Sequence, residues 1–143
     1  SGKRFFTNEW EVLRDREYLW IQKKGSSQLI PELIIEEIER TPSFVIPRDK
    51  HIACLDADQL IHPLTIRKWE KGDKFVPLGM NGKKKVSDYL TDKKFSLFQK
   101  ENQYVVCSGE DIVWLVNERT DHRYRITDST QRILLIKIKK DGQ

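Results

Sequence analysis

Three groups of residues carry whatever chemistry this sequence has to offer. Asp56 and Asp58 in LDADQL form a D-x-D that could ligate a divalent cation or act as paired carboxylates. Such aspartates more often bond the amides of a turn, and that is the role expected here. His51 and Cys54 make half of a zinc site, and His62 and His122 stand too far off in sequence to supply the rest, so no metal is expected. The third group is the run KWEKGDKFVPLGMNGKKKVSDYLTDKK, residues 68–94. If Lys83, Lys84 and Lys85 open a helix, three cations crowd its positive dipole end, at a cost of about a few tenths of a kcal/mol each. An anion bound there would offset that cost. First-turn N–H groups, the backbone of Gly79 and Gly82, and the ammonium groups would together form a phosphate-sized pocket. The plainer alternative is a solvated loop whose lysines keep the surface soluble, and charge alone leaves the two readings level.

Other cations extend the same surface. Arg67 and Lys68 lead into the loop, and Arg119, Arg123 and Arg125 cluster in NERTDHRYR. As a strand, that segment would put Arg123 and Arg125 on one face as a two-arginine stripe; pairing with Glu118 and Asp121 is the competing fate. Trp69 could stack on a base, whereas Trp114 in DIVWLV belongs to a core. No phosphate-binding G-x-x-x-x-G-K-[ST], G-x-G-x-x-G, G-x-S-x-G or H-E-x-x-H occurs, so no catalytic residue is assigned.

At 143 residues the chain has the length of one domain, and four Trp, six Phe and four Tyr give it large apolar anchors. The net charge of +4 is modest, but residues 67–94 hold nine basic and four acidic side chains. A localised anion-binding face follows more naturally than a uniformly sticky surface. Cys54 and Cys107 lie in strand-like apolar contexts and read as buried, reduced thiols. No apolar run is long enough to cross a bilayer, no signal-peptide layout is present, and a cytoplasmic home without a membrane partner is expected. The opening Ser1-Gly2 fits a piece of a larger protein.

Residues 10–22 suit a hairpin, and SFVIP, HIACLD, LTIRKW, YVVCS, DIVWLV, HRYRIT and RILLIKIKK read as strands. ELIIEEIER, between Pro31 and Pro42, fits either a helix or a strand. Val86, Tyr89 and Leu90 at i, i+3, i+4 predict a helix over 83–94, and a further helical turn is expected near 96–101. The fold class is α+β, mostly antiparallel sheet with one or two short helices. Residues 1–62 are read as a β-rich lobe and 63–143 as the remaining domain, together one compact unit.

From Pro63 to Lys94 the chain resembles the C-terminal domain of bacterial tRNA(Ile)-lysidine synthetases. That pattern runs Arg-x-Arg, Gly-Asp, Pro-x-Gly-x-x-Gly-x-Lys-Lys, Asp and a closing Lys. Arg67, Gly72, Asp73, Pro77, Gly79, Gly82, Lys84, Lys85, Asp88 and Lys93 occupy it. The likeness continues at Ile112, Trp114, Arg119, Asp121 and Arg123, and covers residues 52–138 well. Two positions depart: Trp69 stands where a second Arg is common, which argues against a phosphate contact there, and Asn117 replaces a frequent Gly, a mild change because Asn tolerates left-handed backbone.

The resemblance implies a fold related to a domain of the phenylalanyl-tRNA synthetase β subunit. It also implies a parent ATP-dependent ligase that joins lysine to the wobble cytidine of an isoleucine tRNA with a CAU anticodon. That chemistry belongs to an N-terminal PP-loop domain with a Ser-Gly-Gly-x-Asp-Ser motif, absent from this chain. ATP with magnesium, and lysine, are therefore expected in that other domain, and no cofactor in this one. The implied role here is to hold tRNA, at the acceptor-stem end, through Arg67, Lys68, Lys83, Lys84, Lys85, Lys93 and Arg123. Gly72, Asp73, Pro77, Gly79 and Gly82 would shape the loop. A rival reading has the module pack on its own N-terminal domain or form a homodimer, its lysines merely solvated.

Overall fold

A computed structural model describes residues 30–139 in full and, nearer the N-terminus, the backbone of strands β1 (Lys3–Phe6), β2 (Trp10–Asp15) and β3 (Tyr18–Lys23). These three form an antiparallel sheet in the order β1-β2-β3, which includes the hairpin expected at 10–22.

ELIIEEIER resolves as strand β4 (Leu33–Glu39). A seven-residue segment confined by prolines is short for a helix, and its partner decides the matter. It pairs along its whole length with the last strand, β12 (Arg132–Ile138), which also pairs with β5 (Ala53–Asp56), giving the order β4-β12-β5. Leu33 and Ile35 point into the core, while Glu37 and Glu39 emerge from it and meet Arg132 at 3.1 and 3.5 Å.

A third antiparallel sheet has the order β11-β10-β9-β6, from β6 (Leu64–Lys68), β9 (Tyr104–Ser108), β10 (Asp111–Leu115) and β11 (Arg119–Thr120). Its central strands are buried on both faces, so they read as continuous apolar runs rather than alternating ones. One face sends Leu64, Ile66, Val106 and Trp114 against Leu33, Leu55, Leu134 and Ile136 of the β4-β12-β5 sheet. The other face sends Val105, Cys107, Ile112 and Leu115 against Phe75, Val86, Tyr89 and Leu90. A bulge between Ile112 and Trp114 breaks the alternation in β10, so that Val113 and Trp114 both join the first cluster.

The third layer holds a small hairpin, β7 (Lys74–Phe75) and β8 (Lys84–Lys85), followed by α1 (Val86–Asp92) and α2 (Leu97–Glu101). The apolar stripe Val86, Tyr89, Leu90 docks α1 as its spacing predicts. Lys94 ends that helix in the left-handed region at φ 59°, with its N–H on Thr91 and the Phe95 N–H on Leu90. Helix α2 is started by a capping box in which Ser96 and Gln99 satisfy each other's backbone N–H groups.

Three expectations need correction. The helix starts at Val86, so Lys83, Lys84 and Lys85 do not form its first turn; the last two are held in a ladder by β7 instead. HRYRIT is not a strand: His122–Tyr124 form a short 3-10 turn capped by Asp121, which removes the Arg123–Arg125 stripe. SFVIP has no regular structure: it forms no ladder with any strand among the described residues, and Val45 is 81% exposed.

Candidate nucleic-acid interface

The glycine loop is the connection of the β7–β8 hairpin, and two tight turns, one before β7 and one within the connection, shape the chain from β6 to β8. Glu70 to Asp73 close a turn through the Asp73 N–H at 3.0 Å, with Gly72 at φ +96°. Pro77 to Met80 close another at 2.9 Å, with Gly79 at φ +90°. Both put the third residue where an L side chain is strained, which is the requirement of a type II turn. Gly82 meets no such demand, since its φ is not left-handed and a Cβ there would meet nothing within 4 Å. Asn117 is left-handed at φ 61°, as its place in the pattern predicts.

The loop is fastened to the segment after β11. The N–H of Leu78 donates to the Thr120 carbonyl at 3.0 Å, that of Gly79 to His122 Nδ1 at 3.1 Å, and the His122 N–H to the Val76 carbonyl at 2.6 Å. At the centre lies Asp121, fully buried. Its carboxylate accepts from the N–H of Val76 at 2.8 Å, the N–H of Arg123 at 2.8 Å, and Nε and Nη2 of Arg123 at 3.0 Å each. A buried carboxylate is tolerable only when its oxygens are satisfied in this way. Its own N–H donates to Val113 at 2.8 Å, where the β10 bulge lies. The two halves of the sequence pattern, joined by Val76 and Asp121 at a separation of 45 residues, thus become one unit.

Arg123 is therefore engaged inside the fold. Its guanidinium also lies 3.6 Å from Asp111, and the Asp121 hydrogen bonds raise its pKa. Tyr124 donates to Asp111 at 2.6 Å, and burial, helped by that bond, pushes its phenol up to about 12. Arg67 is consumed likewise: its two Nη groups grip Asp73 at 2.8 and 3.1 Å in a forked pair that raises its pKa. Asp73 in turn takes the Glu70 N–H at 2.7 Å, and its carbonyl receives the first amide of α1, from Val86, at 2.9 Å. Lys84 pairs with Asp92 across α1.

The remaining lysines differ. Lys68, Lys71, Lys74, Lys83, Lys85 and Lys94 are exposed, with no ion pair among the described residues. Lys74 and Lys85 stand directly opposite each other in the β7–β8 register, an arrangement that disfavours the ribbon. Lys93 and Arg119 each lie 5.8 Å from the centre of the Tyr89 ring. Trp69 donates to the Lys100 carbonyl at 2.6 Å and packs on the second core cluster, which leaves it unsuited to stacking on a base.

The D-x-D is a turn device. Asp56 is buried and accepts from the Asp58 N–H at 3.1 Å and Thr130 Oγ1 at 3.0 Å. No cluster of potential metal ligands occurs among the described residues. Cys54 and Cys107 are free and buried, and burial pushes both thiols up to about 11. Sequence reasoning missed Lys74, which stands alone in its strand and gains its partner only through the register. It also left Asp121 out of the site; the pattern contained this residue, but its burial was not visible there.

A family profile described as "TilS substrate C-terminal domain" matches residues 64–136. The tRNA(Ile)-lysidine synthase of Bacteroides thetaiotaomicron is 53% identical over 140 residues, covering 96% of this chain and 33% of that protein. That of Parabacteroides distasonis is 44% identical over 149 residues, covering 94% and 34%. The chain thus spans about a third of the length of these relatives. Among solved structures, a crystal structure of a TilS C-terminal domain superposes with a TM-score of 0.65 at 18% identity, over 78% of this chain and 85% of that one. An N-terminal fragment of the phenylalanyl-tRNA synthetase β-subunit from Pyrococcus horikoshii gives 0.52 at 18% identity, over 59% and 27%. At such identities the likeness shows the fold alone, and it is the fold the sequence pattern implied. The residues matched by the profile include both halves of the Asp121 unit, and the chain belongs to the TilS substrate C-terminal domain family.

Proposed function

We propose that this chain is the tRNA-holding C-terminal region of a tRNA(Ile)-lysidine synthetase. It grips the phosphate backbone of the tRNA, at the acceptor-stem end. A PP-loop domain outside this chain uses ATP with magnesium to activate the wobble cytidine of an isoleucine tRNA with a CAU anticodon, and joins lysine to it. The protein works in the cytoplasm, where that tRNA is found. This chain supplies position and no chemistry.

The observation that carries the reading is the facing pair Lys74 and Lys85, two exposed ammonium groups held opposite each other with no acidic partner among the described residues. Folding alone gains nothing from that arrangement, whereas a phosphate set between them relieves the repulsion. Lys83 and Lys68 are further exposed cations near the hairpin in sequence. Lysines act on phosphate as point charges, so the grip is weakly sequence-selective and salt-sensitive.

The test is titration of the chain with an unmodified isoleucine tRNA transcript at low and moderate salt. Lys74→Glu with Lys85→Glu is expected to lower affinity at least about tenfold. Affinity equal to wild type would sink the proposal. A structural or homodimer role has one observation of its own, the adjacent exposed Val45 and Ile46. It predicts no tRNA binding by the chain and a concentration-dependent mass in sedimentation.

A further inference from the structure

The tip of the β7–β8 hairpin carries two apolar side chains where the surrounding surface is basic. Leu78 is 45% exposed and Met80 40%, in a loop flanked by Lys74 on one side and by Lys83 and Lys85 on the other. They are not loose. The turn that bears them is closed between Pro77 and Met80, Pro77 is itself buried, and Leu78 and Gly79 are tied by their N–H groups to Thr120 and His122. The Asp121 unit behind the loop fixes it further through Val76. The two side chains are thus presented outward by a backbone with little freedom to tuck them back, which lowers the cost of ordering them on a partner.

What such a tip fits follows from its neighbours. An apolar partner alone would gain nothing from the lysines, and a bare anion would gain nothing from Leu78 and Met80. Duplex RNA offers both surfaces: phosphates along each strand, and a wide, shallow minor groove lined by riboses and base edges. The minor groove of B-form DNA is narrow by comparison. We infer that Leu78 and Met80 seat in the minor groove of an RNA duplex while Lys74 and Lys85 hold the adjoining phosphates, so that the hairpin tip makes the chain prefer RNA over DNA of the same sequence. This rests on the tRNA-holding reading and adds to it a salt-independent, shape-dependent contact.

The experiment measures affinity against salt for a short RNA duplex and a DNA duplex of the same sequence. It compares wild type, Leu78→Ser with Met80→Ser, and Lys74→Ala with Lys85→Ala. Both tip side chains are exposed, so the first variant should keep the wild-type melting curve. It is expected to lose about tenfold in RNA affinity at every salt concentration, with an unchanged salt slope and unchanged DNA affinity. The lysine variant should instead flatten the slope for both duplexes. Unchanged RNA affinity in the tip variant, with the lysine effect intact, would overturn the inference. Equal losses on RNA and DNA would overturn it too. If wild type binds neither duplex nor tRNA, it is the tRNA-holding reading that fails.

Discussion

The guanidinium groups of Arg67 and Arg123 are paired with Asp73 and Asp121, whereas the ammonium groups of Lys74 and Lys85 face each other across a two-residue ladder with no acidic partner among the described residues. Both sets are basic side chains of the same surface region, yet their surroundings differ. A planar guanidinium matches a carboxylate with two parallel hydrogen bonds, so arginine beside a well-placed aspartate becomes part of the scaffold. A lysine on a flexible stem gains little from a fixed partner and stays available to a mobile anion. The lesson is that the number of cations in a segment overstates how many lack an internal partner. Of the seven residues expected to touch phosphate, Arg67, Arg123 and Lys84 are already paired within the fold.

The sharpest way to break this division is to remove the carboxylate at its centre. Asp121→Ala leaves the Val76 N–H and the Arg123 guanidinium without their buried partner. A loss of about 3 kcal/mol is expected, read as a lower urea midpoint with an unchanged slope. By contrast, Lys74→Ala with Lys85→Ala should stay within about 0.5 kcal/mol of wild type, because no internal partner is lost. A gain in stability, smaller in size than the loss at Asp121, is expected at Lys94, which holds a left-handed conformation at the end of α1. Lys94→Gly removes the contact between Cβ and carbonyl and should raise stability by about 0.5–1 kcal/mol in thermal unfolding. A loss there would mean that Lys94 makes a stabilising contact that outweighs its backbone strain.

Much of this architecture is legible in the residues. Strands β5, β6, β9, β10 and β12 follow from short apolar runs between turn signals, and α1 follows from the spacing of Val86, Tyr89 and Leu90. The Gly79 turn is written in Pro-x-Gly. What could not be read is long-range. ELIIEEIER becomes a strand because β12, nearly a hundred residues later, offers it an edge. Lys84 and Lys85 leave the helix because β7 pairs with them, and HRYRIT turns because Asp121 accepts the Arg123 N–H and side chain. For the same reason the chemistry of the site is split unevenly. Residue type and spacing locate the loop, but which cations are spoken for depends on carboxylates whose burial no local pattern reports, Asp121 foremost.

The most direct measurement is the salt dependence of tRNA affinity in two neutralised variants. One is Lys74→Ala with Lys85→Ala; the other is Arg67→Gln with Asp73→Asn, which removes the forked pair as a unit and leaves net charge unchanged. If lysines bind and arginines build, the slope of log affinity against log salt becomes shallower by about 2 in the lysine variant and keeps its wild-type value in the arginine variant. A shallower slope in the arginine variant, with the lysine variant indistinguishable from wild type, would contradict that division.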